Sequence, residues 1–304
     1  MPGADPVRFR AVLESICMQT VLSVAVDALA YGMVLFVISI GLSVTMGLMR
    51  VVNLAHGAFA MIGGYIASYA TQTLGFGYGV AILAAVVGTI LIAIPIERFL
   101  YRRIYGAPEL TQVLMTIGIT FCIIGIANYV FGPTLKTIPL PEMLRGPVDL
   151  GFRSIAAQKL FAIVCGAAVA GGLWLLIEKT SFGVKLRASV DNAAMAASLG
   201  VRTKIVYAVS FAIAVGLAAF GGIVGAELLP IEPYYALRYM VTFLVVVSVG
   251  GAGSIPGALL ACLVLGGIDT TGRYLLPEYG EFFFYLAVIA IVCTFPRGLL
   301  GRKK

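Results

Sequence analysis

The sequence predicts an all-α polytopic membrane protein with about eight to ten membrane segments. Hydrophobic residues make up 61% of the 304-residue chain and charged residues 12%, whereas soluble domains average roughly 45–50% and about 25%. Several uncharged runs also reach the roughly 20 residues that a helix needs to cross a bilayer. Continuous apolar runs disfavour a transmembrane β-barrel, whose segments alternate in hydrophobicity over about ten residues.

The apolar runs place the predicted segments in order along the chain. They are 28–47, 54–71, 79–99, 110–131, 160–177, 205–226, a broken pair within 239–268, and 282–295. The first apolar region, 11–47, is longer than one helix needs at a rise of about 1.5 Å per residue, so an extra short or interfacial helix stays open. We therefore divide the chain into an N-terminal leader or interfacial segment, 1–27, and a single transmembrane domain, 28–304.

Basic residues predict the orientation of these segments. They cluster at Arg98, Arg102 and Arg103, in the polar loop 178–204, and in the tail from Arg297 to Lys304. The positive-inside rule predicts that all three regions, including the C-terminus, are cytoplasmic. The segments between them are rich in proline, glycine or acidic residues, as expected on the outside. The side of the N-terminus stays open because the number of segments before residue 47 is open.

Two polar or glycine-rich breaks interrupt the apolar runs. The first, Asn53-Leu54-Ala55-His56-Gly57, contains the chain's one histidine, and the second consists of Gly250, Gly251, Gly253, Ser254, Pro256 and Gly257. Such interruptions at corresponding places in two halves indicate an internal repeat with discontinuous helices beside a transport pathway. Asn53 and His56 either line that pathway or bond the backbone that a helix break frees; we favour the second role.

The polar loop 178–204 is predicted to contain a short helix. Asp191 and Asn192 can cap a helix from Ala193 to Leu199, and Gly200 can end it in the left-handed conformation. Basic residues flank this helix on both sides. A short capped helix suits docking onto a partner protein, while the alternative is an ordinary loop held near anionic lipid headgroups.

Missing motifs exclude several functions for this polypeptide. The dipeptide Gly-Lys never occurs, so the chain has no phosphate-binding P-loop. A single histidine cannot support the usual metal or nucleophile–base arrangements, and we predict no catalytic residue and no metal site. The acidic candidates for ion coupling, Asp27, Glu227 and Asp269, lie near segment ends, which disfavours an ion-coupled secondary transporter without excluding it.

Three motifs carry a resemblance to a known family. They are VVNLAHGAFAMIGGYIA, SFGVKLRASVDNAAMAASLGV and VGGAGSIPGALLACLVLGG, in this order. They resemble motifs of the ABC-type branched-chain amino acid permeases, and the chain looks like the first permease subunit of that heterodimeric importer. The resemblance runs from about residue 28 to the tail. It implies a fold like that of type II ABC importers, in a multi-pass protein of the bacterial inner (plasma) membrane.

The resemblance also implies a role and a set of partners. The chain would form half of the translocation pathway of an ATP-driven importer for branched-chain or related amino acids; permeases for urea or short amides in the same family are the alternative. Its partners would be a second homologous permease, two cytoplasmic ATPase subunits that use ATP and Mg, a periplasmic substrate-binding protein and membrane lipid. Nucleic acid is not expected, and no cofactor is expected on this chain.

The positions that match the family's ATPase-coupling loop follow from the same resemblance. They are Arg187, Asp191, Asn192, Ala193, Ala194, Met195, Leu199 and Gly200. The chain departs from the family pattern in two places. The coupling helix reads Asn-Ala-Ala-Met-Ala-Ala, without the charged residue that is usual there, and Arg238 stands where lysine or a small residue is common.

Overall fold

The computed structural model describes residues 6–49, 51–149, 154–295 and 298–300. Its helices, in chain order, are α1 (Pro6–Ser43), α2 (His56–Gln72), α3 (Tyr78–Ile96), α4 (Arg102–Ile104), α5 (Glu109–Phe131), α6 (Glu142–Arg145), α7 (Ala157–Lys179), α8 (Ser181–Asp191), α9 (Ala193–Ser198), α10 (Thr203–Val224), α11 (Tyr235–Gly250), α12 (Ile255–Leu275) and α13 (Gly280–Thr294). The π-helical segments Val44–Leu48 and Glu97–Tyr101 continue α1 and α3. Strand β1 (Pro147–Asp149) pairs antiparallel with β2 (Ser154–Ala156).

Membrane-spanning helices dominate the described chain, which confirms the all-α prediction. Six are long and apolar enough to cross a membrane: Met18–Gly47, Tyr78–Ile104, Glu109–Phe131, Ala157–Lys179, Thr203–Val224 and Ile255–Leu275. Two shorter apolar helices are Tyr235–Gly250 and Phe282–Thr294. With α2, which is 17 residues long, the described residues contain nine apolar helices, within the predicted range. α2 can be short because protein surrounds most of its length, whereas most of the described residues of α13 are exposed.

The N-terminal helix is simpler than the sequence suggested. α1 is one helix of 38 residues, so the extra helix that the length of 11–47 left open is not present among the described residues. Neither glycine nor proline occurs between Arg10 and Asp27 to interrupt it. The candidate span begins at Met18. The division at residue 27 into a leader and a transmembrane domain stays a prediction.

α2 lies at the centre of the helix packing. It packs against α3, α10 and α11, while α12 packs along α1. Small residues bring these backbones close together: a Cβ added at Gly63 in α2 would lie 2.6 Å from the Cα of Ala219 in α10. The large side chains of Phe59 and Tyr65 fill the space that remains, and both are almost fully enclosed.

The helix ends gather on two opposite sides of the protein. On one side lie the Glu97–Tyr101 segment, α8, α9 and the ends of α1 and α11; we call this the elbow side, after the α8–α9 pair. On the other side, which we call the cavity side, Asp27 of α1 forms an ion pair with Lys159 at the start of α7, and Gln72 at the end of α2 donates to the carbonyl of Thr137. This arrangement places α1 with its N-terminal end on the cavity side.

Candidate functional site

The first helix break lies inside the protein, where its backbone groups need protein partners. Between the Val44–Leu48 segment and α2, the amide of Val52 donates to Gln112 Oε1 at 2.9 Å. The amide of Leu54 donates to Thr116 Oγ1 at 3.3 Å. The amide of Ala55 donates to Asn53 Oδ1 at 3.1 Å. An unsatisfied backbone group away from water costs several kcal/mol, so these side chains make the break stable.

Asn53 also joins the break to the end of α3. The hydroxyl of Tyr101 donates to Asn53 Oδ1 at 2.6 Å, and both residues are fully buried. Tyr101 belongs to the π-helical segment Glu97–Tyr101. Segments of this kind are rare and frequently occur at functional sites. The helix break is therefore held by a side chain from an element that ends on the elbow side.

A buried carboxylate anchors the same segment. Glu97 accepts hydrogen bonds from Arg102 Nε at 3.2 Å and from the Tyr105 hydroxyl at 2.9 Å. Burial and the neighbouring Glu97 carboxylate raise the pKa of the Tyr105 phenol well above its usual range, so this hydroxyl keeps its proton and donates it. The ring of Tyr105 lies 5.6 Å from that of Tyr207 in α10.

His56 is the first residue of α2 rather than part of the preceding break. Its Nε2 donates to the carbonyl of Ile38 in α1 at 2.7 Å, because a carbonyl oxygen can only accept. The ring fits because α1 has Gly41 at this point: a Cβ there would lie 2.7 Å from His56 Cε1. The structure thus shows His56 bonding the backbone of α1, and the side chain is 1% exposed.

The second break, residues 251–254 between α11 and α12, touches the first. The amide of Gly253 donates to Ser43 Oγ at 3.1 Å, and a Cβ added at Gly253 would lie 3.2 Å from Gly47 Cα. Gly251 and Gly253 both have φ in the left-handed region, at 87° and 83°, which glycine tolerates without a Cβ clash. Ser254 Oγ then caps α12 by accepting from the Gly257 amide.

The helices are interrupted between Leu48 and His56 and at 251–254, which overlap the two predicted breaks, whereas Gly57 lies in α2 and Gly250 in α11. The structure brings the two interruptions together. α12 begins at Ile255, with Pro256 in its first turn, so Pro256 and Gly257 belong to the helix and not to the break. Gly250 and Gly257 pack closely against each other and are buried. Because most of these residues are enclosed by one chain, their lining of a translocation pathway stays a prediction, as does the internal repeat.

The polar loop 178–204 folds into two helices rather than one. α9 spans Ala193–Ser198, and Asn192 caps it by accepting from the Met195 amide at 2.9 Å. Gly200 follows with φ of 84°, as predicted, while Leu199 is the last cap residue rather than part of the helix. Asp191 is the last residue of α8, a helix that we did not predict from the sequence of this loop.

α8 is tied firmly to the membrane helices. Arg187 Nη1 donates to the carbonyl of Ile177 at 3.1 Å and to Glu178 at 3.2 Å, both near the end of α7. The hydroxyl of Tyr207 in α10 donates to the carbonyl of Ser189 at 2.7 Å. A displacement of α8 would therefore pull directly on α7 and α10.

α9 projects from this anchored helix. Only Ala196 of α9 is buried, whereas the side chains of Met195 and Leu199 are 63% and 79% exposed. Ala193 and Ala194 are exposed as well. Lys185, Arg202 and Lys204 are exposed on the neighbouring segments, so the elbow combines a small apolar surface with basic surroundings.

The opposite side holds a cavity of about 630 Å³. Two ion pairs line it: Asp27–Lys159 at 2.7 Å and Asp269–Arg273 at 2.9 Å. Arg238, which forms an ion pair with Glu232 at 2.8 Å, lies at the same cavity. The rest of its wall consists of Tyr31, Leu228, Leu229, Pro230, Tyr239, Thr242, Thr270, Phe284 and Tyr285. In the described part of the chain, no group of three or more His, Cys, Asp or Glu side chains is placed to hold a metal ion.

Sequence reasoning missed Gln112, Thr116 and Tyr101, which hold the first break. A weak signal was available, because Gln112 and Thr116 lie four residues apart on the otherwise apolar α5 and so share one face. That spacing indicates a polar stripe but says nothing about which backbone groups it meets.

Comparison with known proteins identifies the family. The family described as "Branched-chain amino acid transport system / permease component" matches residues 24–292. The chain belongs to this permease family. It is a membrane-embedded transport permease subunit rather than an enzyme, in agreement with the prediction from its sequence.

Two of the similar proteins cover this chain almost end to end, and a third covers about half of it. The high-affinity branched-chain amino acid transport system permease protein LivH of Escherichia coli K12 is 28% identical over 294 residues, covering 91% of this chain and 94% of LivH. BraD of Pseudomonas aeruginosa is 28% identical over 295 residues, with 92% and 95% covered. The autoinducer 2 import system permease protein LsrC of Salmonella paratyphi B is 32% identical over 171 residues, 54% of this chain. No solved structure gives a significant match.

Proposed function

We propose that this permease is the transmembrane subunit of an ATP-driven importer for branched-chain or related amino acids and forms half of its translocation pathway. The observation that carries the proposal is the α8–α9 elbow. α9 has six residues and an exposed Met195. It follows α8, which is hydrogen-bonded to the membrane helices α7 and α10. That arrangement suits a contact through which a partner moves the membrane domain.

The exposed apolar side chains of α9 favour contact with a protein over contact with lipid headgroups. Met195 and Leu199 expose apolar atoms on a side of the protein that also carries Lys185, Arg187 and Arg202. Large apolar side chains that project together from a polar surface mark interaction sites. A groove on an ATPase subunit can bury them, and it would supply the hydrolysis that this chain has no P-loop to perform.

The orientation follows from the same basic residues. The elbow side carries Arg98, Arg102, Arg103 and the basic residues of 178–204, so the positive-inside rule places it in the cytoplasm. The C-terminal residues 298–300 pack against α11 on this side, where the Leu299 amide donates to the carbonyl of Val249. We infer a cytoplasmic C-terminus and an outward N-terminal end of α1, in the inner membrane of a bacterial cell.

The remaining partners follow from the proposed role. A second, homologous permease would complete the pathway, two ATPases would bind ATP and Mg, and a periplasmic binding protein would deliver the solute to the cavity side. The names of LivH and BraD, which mention branched-chain amino acids, support this substrate class at 28% identity.

A matched pair of methionine substitutions tests the elbow. Met195→Asp places a charge on α9, whereas Met143→Asp changes a methionine that is 90% exposed on α6, on the cavity side. We expect Met195→Asp to lower the yield of ATPase subunits that copurify with the permease at least tenfold, and Met143→Asp to leave it unchanged. Ala194→Pro, which disrupts α9, should have the same effect as Met195→Asp while membrane insertion persists. Normal ATPase binding and uptake by both α9 variants would contradict the assignment.

Uptake measurements test the energy source. Proteoliposomes with a hydrolysis-dead ATPase should not accumulate leucine. The ion-coupled alternative has one observation in its favour, because Asp27 and Asp269 lie within candidate spans where coupled carriers keep carboxylates. Leucine uptake that persists with the dead ATPase and follows a proton gradient would establish that alternative.

A further inference from the structure

The cavity on the outward side is lined by two ion pairs, although charged side chains are rare within membrane spans. Asp269 lies within the span Ile255–Leu275, and its side chain is 8% exposed. Asp27 lies within the span Met18–Gly47. Ionisable residues inside spans are costly and usually mark a substrate or ion site. Both carboxylates line the same cavity, so their placement calls for a common explanation.

Stability alone does not explain these ion pairs. Lys159, Asp27 and Arg273 are 30%, 38% and 53% exposed, and only Asp269 is nearly enclosed, at 8%. Ion pairs this open to solvent contribute only about 0–1 kcal/mol. Here two pairs, Asp27–Lys159 and Asp269–Arg273, face one cavity instead of a closed helix contact. An open volume beside two paired charges leaves room for a solute that adds charges of its own.

The cavity is large enough for a small solute, and it has an apolar surface beside the charged groups. Its volume of about 630 Å³ lies in the usual range of small-molecule sites, roughly 300–1,000 Å³. Beside the charges lie Tyr31 of α1, Leu228 and Leu229 of the loop after α10, and Phe284 of α13. The lining therefore combines charges of both signs with an aromatic and aliphatic surface.

We propose that the permease itself binds the free amino acid in this cavity before translocation. Asp27 and Asp269 face the ammonium group, Lys159 and Arg273 face the carboxylate, and the apolar side chain packs against Tyr31 and the neighbouring leucines. This inference deepens the proposed function and rests on it. Urea or a short amide would bring neither charge, so the same cavity would select against them within the permease.

The ion pairs do not have to break for this binding. The ammonium group of the zwitterion contacts the two aspartates, and its carboxylate contacts Lys159 and Arg273. The four side chains and the ligand then form one network. Hydrogen bonds to charged groups are among the stronger ones that proteins make. A ligand that lacks one charge leaves a carboxylate or a cation facing an uncharged group and loses that contribution.

Direct binding to the purified importer tests the proposal. Radiolabelled L-leucine is added to the assembled permease–ATPase complex in detergent, without nucleotide and without binding protein. L-leucinamide, which lacks the carboxylate, and 4-methylpentanoate, which lacks the ammonium group, serve as competitors. We expect each to compete about 10- to 100-fold more weakly than unlabelled leucine, as the loss of one charged hydrogen-bond partner implies.

Variants of the lining locate the site. Asp269→Asn should weaken leucine binding by about the same factor, whereas Glu142→Gln, an acid on α6 that lies outside the cavity, should leave it unchanged. Asp27→Asn removes a more exposed carboxylate and provides the test if Asp269→Asn fails to assemble. The elution volume of the complex on size exclusion shows assembly in each case.

Several outcomes would overturn the proposal. Equal competition by leucine, leucinamide and methylpentanoate would show that charge is not recognised. Leucine affinity unchanged in both aspartate variants would exclude this cavity. A phosphatidylethanolamine headgroup carries the same two charges; if that lipid binds and leucine does not, the cavity is a lipid site. Each result can occur while ATP-driven leucine uptake continues, so it would leave the proposed function intact.

Discussion

The packing of His56 against α1 makes a quantitative prediction for Gly41→Ala. A Cβ at residue 41 would lie 2.5 Å from the carbonyl oxygen of Ala214 and 2.7 Å from His56 Cε1. Ordinary van der Waals contact begins at about 3.4 Å, so the α10 backbone must retreat by about 0.9 Å and the ring by about 0.7 Å. Neither neighbour has free space, because both residues are buried.

The energetic cost can be estimated term by term. Overpacking a filled core costs about 1–3 kcal/mol, and the upper end applies because one of the neighbours is main chain. Moving the ring away from Ile38 weakens the hydrogen bond of 2.7 Å, which is worth about 1 kcal/mol. Alanine regains about 1 kcal/mol of helix propensity over glycine. The net loss of stability is therefore about 3 kcal/mol.

Thermal unfolding in detergent measures this loss. At about 2.1 cal/mol/K of unfolding entropy per residue, 1 kcal/mol corresponds to a shift of about 1.6 °C in the unfolding temperature of this 304-residue chain. Gly41→Ala should therefore unfold about 5 °C lower. Gly171→Ala is the matched control, because it also lies in a membrane helix, α7, and a Cβ there meets nothing within 4 Å. A Gly41→Ala protein as stable as the Gly171→Ala protein would refute this account of how His56 fits.

Three further substitutions test the break and the elbow. Thr116→Val removes the acceptor of the Leu54 amide and leaves that donor buried, so the protein should lose about 1–3 kcal/mol in thermal unfolding. Asn192→Ala removes the side-chain cap of α9, which costs about 1 kcal/mol, and hydrogen exchange of the α9 amides should accelerate. Tyr207→Phe removes the hydrogen bond to the Ser189 carbonyl, and exchange in α8 should accelerate by about fivefold for 1 kcal/mol.

Each of these substitutions has a control of the same chemistry. Thr111→Val and Ser181→Ala change exposed residues at the starts of α5 and α8, and Tyr129→Phe changes a tyrosine that is 92% exposed. All three should leave stability and exchange near the values of the unaltered protein. If Thr111→Val destabilises the protein as much as Thr116→Val, the Leu54–Thr116 hydrogen bond does not stabilise the break. If the exchange rates of α8 and α9 do not change, the hydrogen bonds of Tyr207 and Asn192 do not stabilise these helices.

The sequence predicted the elements better than their contacts. It placed the breaks at 53–57 and 250–257, whereas in the structure α2 already begins at His56 and the second interruption covers only 251–254. It predicted Gly200 as the end of the short helix, which is observed at φ of 84°. α8 escaped our prediction because an 11-residue amphipathic helix with three basic or acidic residues resembles a polar loop by composition. Gly183 and Arg187 reveal its packing only through contacts with the end of α7.

By itself, the sequence determined that this chain is a multi-pass helical permease and where its helices are interrupted, because hydrophobic length, glycine and capping residues act locally along the chain. Only the tertiary structure decided which side chains satisfy those interruptions: Gln112 and Thr116 from α5 reach the first break across 60 and 62 residues of sequence. It also decided that Asp27 and Asp269, more than 240 residues apart in the chain, face one cavity. Such meetings depend on how the helices pack, and no local pattern encodes that packing.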